Sequence, residues 1–134
     1  MTHSMERTIL SDFVYEYDRY RLIGERALSQ IPDTALDVVS APDGNSAGML
    51  VSHLSGNLKS RFSDFLTSDG EKPSRDRESE FAERTYSRDE ISVMWTTGWS
   101  ALENALGELT DNDLTRLVTI RSNRSRCTLR YAGR

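Results

Sequence analysis

Apolar residues recur at steps of three and four along three separate stretches of the chain, and this pattern decides most of what it can become. In the first, from about residue 4 to residue 30, Ile9, Leu10, Phe13, Val14, Tyr17, Tyr20, Ile23, Ala27 and Leu28 fall along one helical face, and Pro32 ends the run. The second follows Pro42-Asp43-Gly44, with Asn45 as the expected N-cap. Ala47, Leu50, Val51, Leu54, Leu58, Phe62 and Phe65 form its apolar face, and an end is expected near Ser68, before Gly70. The third opens with Ser87-Arg-Asp-Glu90, the spacing of a capping box. It continues through Ile91, Met94, Trp95, Trp99, Leu102, Ala105, Leu106 and Leu109. Gly98, between the two tryptophans, leaves room for a neighbouring helix. Residues 114–121 read as a short extended segment, after which no stripe or cap follows. Three stripes this wide favour an all-α bundle in which each apolar face meets two neighbours and a fourth helix is missing from the pattern, although three helices can also close a core.

At 134 residues the chain is the size of one domain. Its net charge of −4 argues against general nucleic-acid binding, and no run is apolar enough to suggest a membrane span. One cysteine, Cys127, excludes an internal disulfide, and the reducing cytoplasm is the natural setting. Charge is unevenly placed. Residues 121–134 hold five arginines and no acid, whereas the rest carries all 21 acids against 12 of the 17 bases. Residues 69–80 are densely charged and broken by Gly70 and Pro73, which reads as a solvated connection between two helices.

Motifs of catalysis are scarce. No G-x-S-x-G or G-x-G-x-x-G is present, and Gly56-Asn-Leu-Lys59-Ser60 lacks the glycines of a phosphate-binding loop. His53 shares a helical stripe with Ser46, Asn57, Ser60 and Asp64. An imidazole there can ligate a metal, or it can be an ordinary histidine on a solvent-facing polar stripe. The other histidine, His3, is near the N-terminus. Trp95 and Trp99 read as core anchors. Lys59, Arg61, Arg75 and Arg77 can attract an anion, but they interleave with acids, so a salt-bridged surface is the preferred reading.

The block from His53 to Pro73, with Asn45-Ser46, Arg75-Asp-Arg77, Glu80-Phe81, Trp95, Gly98-Trp99, Leu109–Leu114 and Val118–Arg121, resembles a branch of the DinB-like superfamily without an assigned activity. The resemblance covers about 110 residues and implies a bacterial four-helix bundle of up-down-down-up type. It also implies a divalent metal, nickel or zinc, held by three histidines. His53 matches the ligand from the second helix, while the H-x-x-x-H pair of the fourth helix has no counterpart here. Relatives of this kind include thiol-dependent transferases. Residues 1–121 are therefore expected to form an incomplete DinB-like bundle, truncated before its fourth helix. Residues 122–134 are read as a basic tail outside the family pattern, and back-translation allows that tail to be a frameshifted ending. One histidine cannot hold a metal in cis. The expected outcomes are a chain inactive alone, a transferase completed in trans, or a helix-binding interaction module. The uncovered apolar face favours a homo-oligomer, and nucleic acid is the weakest partner.

Overall fold

A computed structural model describes residues 6–120 and the backbone of 126–128. The fold is mostly helical: α1 (Ile9–Ser29), α2 (Ala47–Phe62), a single turn α3 (Arg77–Glu80) and α4 (Arg88–Gly107). A two-stranded ribbon follows, with β1 (Leu117–Thr119) antiparallel to β2 (Arg126–Thr128) and Val118 opposite Cys127. The expected extended segment is thus β1, preceded by a 3₁₀ turn over Asp111–Thr115. Sequence periodicity had no signal for β2, because a three-residue strand is too short to carry one. The remainder of the arginine-rich tail, and His3, lie outside the described residues.

Helix starts follow from side-chain oxygens that satisfy orphan N–H groups. Thr8 and Ser11 cap α1 reciprocally. The cap of α2 is Ser46, not Asn45: its Oγ accepts from the Met49 N–H at 3.1 Å. At α4 the Ser87 hydroxyl accepts from the Glu90 N–H as the spacing predicts. The second half of that box does not form, because the Glu90 carboxylate pairs with Arg84 at 2.9 Å instead. The second helix also ends earlier than expected, at Phe62. Ser63 leaves helical backbone, and Asp64 adopts the left-handed region at φ 48, which breaks the ladder. Phe65 still reaches the core, from a turn rather than from the helix.

The core lies along the α2–α4 contact in three clusters. Leu36, Met49, Val51, Tyr86 and Ile91 fill one end, Leu58, Trp99 and Leu102 the middle, and Phe65, Ala105 and Val118 the other end. Gly98 permits the crossing: a Cβ there would lie 2.8 Å from the Ser55 Cα. Trp99 is a core anchor as expected. Trp95 is half-buried and has a polar task as well, donating from Nε1 to Glu25 on α1 at 3.1 Å. Helix α1 is more loosely held. It approaches Trp95 at Gly24, and Arg88 clips its end by donating to the Leu28 and Ile31 carbonyls and pairing with Asp33. No residue of α1 is fully buried, and Ile9, Phe13, Val14, Tyr20 and Ile23 of its apolar face remain exposed. Among the described residues no helix is long and apolar enough to cross a membrane.

Candidate functional site

The segment between α2 and α4 is where the structure departs most from expectation. Residues 69–80 are a largely exposed connection, as expected, but they also fold back onto α2. Ser60 Oγ donates to the Gly70 carbonyl at 2.9 Å and accepts from the Lys72 N–H at 3.2 Å. Lys72 Nζ donates to the Ser60 and Asp69 carbonyls. Burial in this clip pushes the Lys72 ammonium below the usual lysine range, against the raising influence of Asp64 and Asp69. Asp76 then caps α3 by accepting from the Ser79 N–H. Lys72 ties the stretch to the α2 backbone, Asp69 and Asp76 bond its own backbone, and Arg75 and Glu80 turn inward as a pair, which composition does not reveal.

The single turn of α3 delivers Glu80 to α2. Its carboxylate lies directly over Gly56, where any Cβ would sit 1.8 Å from Oε2. Two turns earlier, Gly48 accepts the Tyr86 ring in the same way, with a Cβ 2.3 Å from the ring. Glycine at both positions lets the 80–86 segment lie close against α2.

Glu80 is buried and doubly engaged. Arg75 donates to it from Nη2 to Oε1 at 3.0 Å and from Nε to Oε2 at 3.2 Å, a bidentate pair whose side chains are 10% and 8% exposed. His53 Nδ1 lies 3.1 Å from the same Oε1. Nδ1 also lies 3.5 Å from Arg75 Nη2, which can only donate; the shorter contact is to Oε1, which can only accept, and this favours hydrogen on Nδ1, with the lone pair of a neutral ring on Nε2. Phe81 covers one face of the imidazole, with ring centroids 4.6 Å apart. The His53 ring is therefore held in direction, by Glu80 at Nδ1 and by Phe81 against the ring, while staying about one-third exposed. This is the arrangement in which a carboxylate orients a ligating or basic imidazole.

Of the stripe read from the sequence, His53 alone meets this cluster. Ser46 caps α2, Ser60 anchors the loop and Asp64 is exposed. Spacing along one helix missed Arg75, Glu80 and Gly56. The available signal was Gly56 three residues after His53, a gap on the same face that a distant side chain can fill. Among the described residues no group of three or more His, Cys, Asp or Glu side chains is placed to hold a metal ion. His53 fits one position of a ligand set and has no described companion.

A family model described as a protein of unknown function (DUF1572) matches residues 4–129. The chain belongs to the DUF1572 family. No curated protein and no solved structure matches it. The matched span of this DUF1572 protein takes in all three long helices and the folded-back segment with His53, Arg75 and Glu80.

Proposed function

We propose that this chain is a DinB-like bundle carrying one oriented metal ligand, His53, in a site that a single copy does not complete. Alone it is inactive. Metal-dependent chemistry, in the manner of the thiol-dependent transferases that the sequence resembles, requires donors from another chain. The observation that carries this reading is the His53 Nδ1–Glu80 hydrogen bond, which leaves Nε2 free in a partly exposed position. A histidine serving only as a polar surface residue has no need of a buried, arginine-paired carboxylate to fix its ring. The exposed apolar side of α1 supports completion in trans, since a second copy packed there would cover Ile9, Phe13, Val14 and Ile23.

Metal content across size-fractionated protein tests the proposal. After incubation with Ni²⁺ or Zn²⁺, the monomer fraction should carry no stoichiometric metal. Any assembled fraction that retains metal should lose it in His53→Ala. Stoichiometric metal on the monomer, or metal retained by the His53→Ala assembly, contradicts the reading. Absence of metal from every fraction removes completion in trans and leaves an inert bundle.

A further inference from the structure

Arg75 and Glu80 also line a cleft of about 530 Å³ that opens between α2 and the folded-back segment, with Met94 of α4 in its wall. This volume is within the range of small-molecule sites. Its lining has an unusual composition. The whole chain has two lysines, Lys59 and Lys72, against fifteen arginines, and both lysines line this cleft. Arg75 joins them. It spends Nε and Nη2 on Glu80, while its Nη1 makes no hydrogen bond to the described residues. Lys59 makes no ion pair among the described residues. The acids in the wall are already committed: Glu80 to Arg75 and His53, and Asp76 to the N-terminus of α3.

Hydroxyls complete the lining. The side-chain hydroxyls of Ser52, Ser63 and Ser74, residues that border the cleft, make no hydrogen bond among the described residues. Ser55 also borders it but is 3% exposed, and its Oγ lies at the α2–α4 crossing, 3.3 Å from where a Cβ on Gly98 would be, so it is not one of the donors open to the cleft.

We propose that this cleft binds a small molecule through a phosphate group. The free donors exceed what the two oxygens of a carboxylate can use, whereas a phosphate presents three or four oxygens to a mixed set of cations and hydroxyls. The anion would sit against Lys59, Arg75 and the serine hydroxyls, with Lys72 adding charge from the loop clip. The site needs no metal at His53 and stands whether or not one is held there.

Titration of the full chain with inorganic phosphate at constant ionic strength, read by calorimetry and by thermal melting, tests the site. The expected result is saturable binding of one phosphate per chain with a rise in Tm. Lys59→Met, a change at an exposed position, should weaken binding about tenfold, and Ser52→Ala several-fold, with both variants folded by circular dichroism. Acetate at equal concentration should bind far more weakly. Absence of saturation into the tens of millimolar, or phosphate binding unchanged in both variants, overturns the proposal. Acetate binding as tight as phosphate assigns the cleft to carboxylates and overturns the phosphate assignment.

Discussion

Replacing Glu80 by Gln takes the charge from a pair in which Arg75 is only 10% exposed. A buried cation left without its partner costs about 3–5 kcal/mol, so Glu80→Gln should lower unfolding free energy by an amount in that range in urea melts. Combining it with Arg75→Met should recover most of the loss, because both charges then leave together. Asp113 gives the chain an acid-sensitive contact of a different kind. The Thr110 backbone N–H, supported by Arg116, holds its carboxyl below the ordinary value of 3.8. A depressed carboxyl contributes stability that is complete above its unfolded value and is lost as pH falls through the folded one. Acid unfolding should therefore steepen below about pH 4 in the natural chain, and Asp113→Asn should flatten that limb. At this scale the sequence was partly legible. His53 could be picked out because an imidazole is rare here and its helical neighbours are polar. Glu80 and Arg75 could not, because nothing in a run of alternating charges tells which pair will be folded inward.

Helices were the most legible elements, since each long one has a periodic face and a hydroxyl cap at its start. Their ends were harder. Asp64 stops α2 by a backbone conformation that Asp tolerates and that no periodicity announces. The crossing of α2 and α4 depends on Gly98. Gly98→Ala would set a methyl 2.8 Å from the Ser55 Cα, and backbone atoms cannot yield as a side-chain tip can. A cost of about 1–3 kcal/mol is expected, seen as a lower denaturation midpoint with unchanged helicity. Gly56→Ala acts on the site instead. Its methyl would occupy the place of the Glu80 carboxylate, so the variant should show the same loss as Glu80→Gln and should not add to it in the double mutant. Additive effects would show that the carboxylate does not need the gap at Gly56.

For the molecule as a whole, the apolar side of α1 is only partly covered among the described residues: Tyr17 and Leu28 pack on the core while Ile9, Phe13, Val14 and Ile23 stay exposed. Phe13 and Ile23 are 40% and 48% exposed on a helix that has no fully buried residue. Sedimentation should find concentration-dependent association, and Phe13→Lys with Ile23→Lys should shift it toward monomer while leaving far-ultraviolet dichroism intact. A monomer at all concentrations would show that this face takes no second copy. The all-α character was readable from periodicity. The return of residues 69–86 onto α2 was not, because glycine gaps and a one-turn helix leave no repeating signal. That return is what turns His53 from a polar residue on a helix into an oriented group, and everything proposed for the site rests on its ring being held by Nδ1. Long-range ¹⁵N–¹H correlation of the imidazole, recorded where the ring is neutral, reads this directly. The account predicts hydrogen on Nδ1 and a bare Nε2 in the natural chain, with that preference lost in Glu80→Leu; hydrogen on Nε2 in the natural chain would contradict it.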